Sequence, residues 1–249
     1  MKIAISGKGG VGKTTVTAFI IEALLQKGRK VLAVDADPSP HLARVLGFDA
    51  DAMMPISRMR ELLDERSERN GPFYRLNPRV DDIPERFMLK KGNLSLMVLG
   101  AINQAGAGCA CSDNVVLKAI LSRLLLSPEE DVVLDMEAGV EHLGRGTIAS
   151  VDYLIVVVQP YLGSMETARQ ILTLASELGI RNLHVVANNI NTEDDLEFIE
   201  KSLGKRPVAS FAFSNEVKSA ERKGSLPGQS DKELLAVASA LIKTFEKKE

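Results

Sequence analysis

Gly7-Lys8-Gly9-Gly10-Val11-Gly12-Lys13-Thr14-Thr15 follows a short apolar run, Lys2–Ser6, and opens a helical pattern over Lys13–Gln26. The stretch meets the G-x-x-x-x-G-K-T spacing at Gly7, Gly12, Lys13 and Thr14, in the strand-to-helix setting that the chemistry requires. Glycines let successive backbone N–H groups curl around a polyphosphate, and the helix N-terminus adds positive partial charge. Gly9, Gly10, Val11, Gly12, Lys13, Thr14 and Thr15 are therefore expected to hold nucleotide phosphates. Lys13 should reach the β- and γ-phosphates, and the Thr14 hydroxyl should ligate Mg²⁺.

Outward from this loop, short β-branched runs alternate with helical patterns. Strands are expected at Lys2–Ser6, Val31–Asp35, Leu94–Leu99, Asp131–Asp135, Tyr153–Val158, Leu183–Asn188 and Val208–Phe211. Helices are expected at Lys13–Gln26, Val115–Leu126, Gly163–Leu178, Glu193–Leu203 and Asp231–Lys247. Unbroken apolar runs such as Leu154–Val158 suit strands covered on both faces. The alternation implies an α/β fold, a mostly parallel β-sheet with helices on both faces, in one domain spanning 1–249. The stretch 49–91 breaks the rhythm with a helix over Ile56–Arg69 and then a proline- and charge-studded passage. It has too few apolar residues for a core of its own and reads as an irregular helical insertion.

Composition narrows the function. Lys plus Arg is 31 and Asp plus Glu 33, a net charge of −2 that gives no long-range pull toward nucleic acid or an anionic membrane. Aromatic residues are 4% of the chain and Trp is absent, which argues against a stacking platform for single strands. Two cysteines cannot build a disulfide framework, so a reducing cytoplasm is the expected setting. The first residues hold no signal-peptide core, and no apolar run approaches the roughly 20 residues of a membrane span. The expectation is a cytoplasmic protein with neither a nucleic-acid nor a membrane partner.

Two further groups carry chemistry. Val132-Val133-Leu134-Asp135 is an apolar run ending in an acid, the Walker B form, which places Asp135 on Mg²⁺ directly or through water. Both cysteines lie in Cys109-Ala110-Cys111, flanked by glycine and followed by a helix whose start would favour thiolate. Two thiolates make half of a tetrahedral soft-metal site, which a symmetry mate would complete. Read alone, the pair equally suits small residues in a loop leading into a helix. Thiolates accept Ni²⁺, Zn²⁺ or Cu⁺, so the residues do not choose the metal.

Lys8 has no task in its own cradle, and with it the loop resembles the deviant Walker A of the MinD/ParA/nitrogenase-iron-protein class of P-loop ATPases. That resemblance implies a SIMIBI-type architecture and a homodimer that hydrolyses ATP to ADP and phosphate. Lys8 would reach the partner's nucleotide, and Asp37 of Asp35-Ala36-Asp37-Pro38 would orient the attacking water. Lys8, Lys13 and Asp37 are thus the implied catalytic residues, Glu137-Ala138-Gly139 the implied switch II, and Asn188 the implied reader of adenine's edge.

Cys109 and Cys111, followed by Asp135-Met136-Glu137-Ala138-Gly139-Val140-Glu141-His142-Leu143-Gly144-Arg145-Gly146-Thr147, make the chain resemble the CooC family of nickel-insertion ATPases, which mature carbon monoxide dehydrogenase. The resemblance implies an ATP-dependent metallochaperone that binds Ni²⁺ or Zn²⁺ between two copies of the cysteine pair. It would deliver nickel to carbon monoxide dehydrogenase or a related client. His142 is a candidate extra ligand, although a lone histidine is more often structural. The alternative is a MinD/ParA-like positioning ATPase acting on membrane or DNA. Against it, the amphipathic tail Leu234–Phe245 mixes Lys with Glu and reads as a helix packed on the sheet. An iron–sulfur scaffold of the Mrp type would carry Cys-x-x-Cys near its C-terminus, and no cysteine follows Cys111.

Overall fold

Odd and even positions of the central strands are both apolar, and the two sets enter different cores. Ile3, Ile5, Val31, Ala33, Val133, Ile155 and Val157 join one buried cluster, whereas Ala4, Leu32, Val34, Val132, Leu134, Leu154 and Val156 join another. A period of two with both faces apolar demands cover on both sides. The computed structural model describes residues 1–49, 53–68, 77–102, 110–126, 130–139, 150–223 and 225–247, with only the backbone described at 110–112.

The strands are β1 (Lys2–Ser6), β2 (Val31–Ala36), β3 (Leu89–Lys91), β4 (Leu94–Val98), β5 (Asp131–Met136), β6 (Tyr153–Val158), β7 (Leu183–Ile190) and β8 (Ala209–Ala212). They form one sheet in the order β3-β4-β2-β5-β1-β6-β7-β8, parallel except for antiparallel β3. The helices are α1 (Lys13–Gln26), α2 (Leu42–Val45), α3 (Arg60–Ser67), α4 (Ile83–Phe87), α5 (Ala110–Leu125), α6 (Leu162–Glu177), α7 (Glu193–Leu203), α8 (Asn215–Lys223), α9 (Pro227–Ser230) and α10 (Lys232–Glu246). Residues of α1 and α10 pack into the first cluster, and those of α3, α5, α6 and α7 into the second.

The C-terminal helix shows how its sequence is used. Asp231 caps α10 by accepting from the N–H groups of Glu233 and Leu234 at 3.1 and 3.0 Å. Leu234, Leu235, Ala238, Leu241, Ile242 and Phe245 are buried against the sheet and α1. Phe245 stacks on Tyr153 with ring centroids 4.2 Å apart. This apolar face is spent in the core. Among the described residues, no helix is long and apolar enough to cross a membrane.

Besides the short helices α2 and α9 and an earlier start for α5, three local features differ from the expected elements. The helix expected over Ile56–Arg69 is a 3₁₀ turn at Ile56–Arg58 followed by α3. The Ser57 N–H donates to the Leu99 carbonyl at 2.9 Å, tying the turn to the end of β4, and Met59 leaves helical geometry with ψ 74°. Leu89–Lys91 forms an edge strand through a Gly92-Asn93 hairpin, with Gly92 at φ 60°. Exposed Lys90 and Lys91 blunt that edge. Helix α8 was not expected, because it is largely polar and buries only Val217 and Ala220.

The strand order explains where a ligand belongs. From β1 the chain crosses to β2 on one side, while from β5 it passes β1 to reach β6 on the other. Loops diverge around the carboxyl end of β1, which is the crevice where open α/β sheets take their ligands.

Candidate nucleotide site

The loop from Gly7 to Gly12 leaves β1 at that divergence point and delivers Lys13 as the first residue of α1. Gly7, Gly10 and Gly12 have φ of 149°, 81° and 87°. Two of these positions also lack room: a Cβ on Gly7 would strike the Val157 carbonyl oxygen, and one on Gly12 would strike the Asn188 amide. The Lys13 side chain is 7% exposed, and its Nζ donates to the Lys8 carbonyl at 3.4 Å.

Facing the loop are three carboxylates. Parallel pairing sets Asp35 of β2 beside Asp135 of β5. The Asp35 carboxylate accepts from the N–H groups of Asp37 at 3.1 Å and Leu42 at 3.0 Å, so it shapes the turn that carries Asp37. Asp37 in turn accepts from the Ser39 N–H at 2.8 Å. Burial pushes the Asp35 carboxyl up to about 6, against the pull of the Leu42 and Asp37 amides. Asp135 is pushed up to about 7 by burial and by the charge of Asp35, with the Thr14 hydroxyl and Lys13 ammonium pulling it down.

Asp135 Oδ1 is buried without a hydrogen-bond partner, beside the Thr14 hydroxyl that bonds this carboxyl. A carboxylate oxygen left bare in the interior is costly unless a cation or donor meets it. Thr14 and Asp135 thus offer the hard oxygen ligands that Mg²⁺ prefers. The ion would supply charge neutralisation for transferring phosphate, while Thr14 and Asp135 set its place.

Ser6 connects the phosphate loop's strand to the segment after β5. Its hydroxyl donates to the Gly139 carbonyl at 2.9 Å, and the Gly139 N–H lies 3.2 Å from the same oxygen. Asn188, at the carboxyl half of β7, sends its amide nitrogen to the Val11 carbonyl at 2.8 Å. Here it supports the phosphate loop, a job that end-of-strand position alone did not reveal.

Two residues at the site were missed in the sequence. Glu221 of α8 accepts from the Thr15 hydroxyl at 2.6 Å, placing a carboxylate at the mouth of the cradle. Gln159, after β6, points its amide at the Gly10 carbonyl, 3.5 Å away. Neither belongs to a motif, and each is brought in by a connection more than 140 residues distant in the chain. Cys109 and the 140–147 stretch with His142 lie outside the described residues, and of Cys111 only the backbone in α5 is described. Among the described residues, no group of three or more His, Cys, Asp or Glu is placed to hold a metal ion.

A parallel sheet whose first strand runs through a glycine cradle into a helix, opposite a buried strand-end aspartate, is the frame of a P-loop ATPase. The chain belongs to the CobQ/CobB/MinD/ParA nucleotide-binding domain family, whose model matches residues 2–227. It is 41% identical over 231 residues to the carbon monoxide dehydrogenase accessory protein CooC of Rhodospirillum rubrum, covering 90% of this chain and 88% of that one. It is 37% identical to an uncharacterized ATP-binding protein of Methanocaldococcus jannaschii, covering 98% of each. Among solved structures it resembles the MinD cell division protein of Aquifex aeolicus, with a TM-score of 0.69 at 23% identity over 97% of this chain and 97% of that one.

Proposed function

We propose that the chain is an ATP-driven homodimeric switch that delivers nickel to an enzyme of the carbon monoxide dehydrogenase type. The observation that carries this reading is the 41% identity to CooC across nine tenths of the chain. The spacing of Cys109 and Cys111 supports it, since two thiolates from each of two subunits complete a tetrahedral site. Lys13, Thr14 and Asp135 hold the Mg²⁺–ATP complex in this reading, Asp37 orients water, and Lys8 acts on the other subunit's phosphates. Metal and nucleotide then bias the same closed state, so each changes affinity for the other.

A second reading, a positioning ATPase working on a membrane or DNA surface, has the structural likenesses on its side, MinD of Aquifex aeolicus among them. Titration separates the two. Ni²⁺ or Zn²⁺ added to the metal-free protein, followed by light scattering, should give one tight metal per two chains and metal-promoted dimerisation, both lost in Cys109→Ser and Cys111→Ser. Tight binding that survives both substitutions, or one metal per monomer, defeats the shared site. ATP-dependent co-sedimentation with anionic vesicles or DNA, without metal uptake, establishes the second reading instead.

A further inference from the structure

Lys8 leaves its own cradle and lies against the connection between β6 and α6. Its Nζ sits 5.7 Å from the centroid of the Tyr161 ring. A Cβ on Gly163 would collide with that same Nζ, so the missing side chain is what admits the ammonium. The connection also meets the phosphate loop through the Gln159 amide at the Gly10 carbonyl, and beside it the Val157 carbonyl of β6 occupies the space that a Cβ on Gly7 would need.

The electrostatics of this resting place are divided. The ring face attracts a cation. Gly163 belongs to the first turn of the 16-residue α6, whose N-terminal end carries positive partial charge and disfavours one. Attraction and repulsion offset, so Lys8 rests in a shallow well. Tyr161 and Leu162 beside it are 38% and 69% exposed, leaving this edge open to a second molecule.

We propose that Tyr161 and Gly163 form a seat for the Lys8 ammonium in the free subunit, and that Lys8 must leave it to reach the nucleotide of a second copy. Tyr161 is then a positioning residue that sets the cost of that transfer. The proposal rests on the reading of Lys8 as a residue acting across the dimer.

Two measurements test it. In nucleotide-free protein, the ε-methylene protons of Lys8 should show an upfield ring-current shift by NMR, retained in Tyr161→Phe and lost in Tyr161→Leu and Gly163→Ala. In sedimentation with a non-hydrolysable ATP analogue, Tyr161→Leu should dimerise at up to about 5- to 30-fold lower protein concentration, because each dimer gives up two exposed cation–π contacts, one per subunit. Tyr161→Phe should match wild type, and Tyr161→Leu should change nothing in a Lys8→Ala background. Lys8 protons without the shift, or an equal Tyr161→Leu effect with and without Lys8, overturn the seat. If the shift is present but Lys8→Ala dimerises as wild type does, the seat stands as a resting contact and the cross-dimer reading of Lys8 fails.

Discussion

Asp135 gathers the opposing demands of the site. It is buried at the end of β5, beside Asp35 and within the field of Lys13, and one of its oxygens has no partner. Its folded value of about 7 exceeds the ordinary 3.8, so the native state binds this proton more tightly than the unfolded chain does. Stability from this group is therefore fully present at low pH, falls as pH rises between those two values, and is flat above them. Asn imitates the protonated form. Asp135→Asn should accordingly raise the melting temperature of the metal- and nucleotide-free protein at pH 8, by no more than about 4 kcal/mol equivalent, and should match wild type near pH 4. A calorimetric pH series checks this. Asp37 makes a different demand, since the role proposed for it is positional. Asp37→Ala is expected to bind ATP with near-normal affinity while turnover falls roughly 10²–10⁴-fold, and Lys13→Ala to lose binding itself. Equilibrium binding and phosphate release, measured on the same preparations, separate the two effects.

Elements matter here through what they bring to the phosphate loop from afar. Strand β7 carries Asn188 onto the Val11 carbonyl, the β6–α6 connection carries Gln159 and Tyr161, and α8 carries Glu221 onto Thr15. Of these, Glu221 would oppose the ligand if Thr15 meets phosphate as proposed, because an exposed carboxylate at 2.6 Å from that hydroxyl repels incoming phosphate and must yield its bond. Glu221→Gln should tighten ATP binding by a few-fold, about the scale of one exposed charge interaction, with the gain shrinking as salt is added. Isothermal titration at two ionic strengths reads both. Equal or weaker binding would show that Glu221 faces the sugar or base and not the phosphates.

The whole molecule divides its labour between the two sides of the sheet. Helices α1 and α10 close one face over a continuous apolar cluster, and α5, α6 and α7 close the other. The carboxyl ends of the strands, and the loops and helix start that follow them, are left to carry Lys8, Lys13, Asp37 and Asp135. In the proposed dimer those loops meet their copies, so a lone subunit holds ATP without the second lysine. Lys8→Ala is expected to bind ATP as wild type does and to hydrolyse it much more slowly. The factor of about 10³–10⁵ known for cations supplied across an interface is the upper bound. Turnover in wild type should also rise with protein concentration, and in Lys8→Ala that dependence should vanish.

The sheet, its parallel sense and the phosphate loop were legible because each rests on local pattern. Runs such as Leu154–Val158 signal two-sided burial, and Gly7 to Thr15 carries its chemistry in nine consecutive residues. The edge strand Leu89–Lys91 was legible in principle from its Gly92-Asn93 turn, but its charged residues hid it. Helix α8 gave a weaker signal still, since two buried apolar residues set no clear period. Tertiary structure alone decided the rest. Motifs name Asp35 and Asp135 separately, whereas the folded sheet buries both and so raises both carboxyls, and strand pairing adds the charge of Asp35 to the rise at Asp135. Glu221 and Tyr161 belong to no motif, and only folding brings them to Thr15 and Lys8. A single chain encodes local backbone preference and burial directly. Burial of charge and contact between distant residues depend on how crossovers stack the strands, and those became determinate only in the folded sheet.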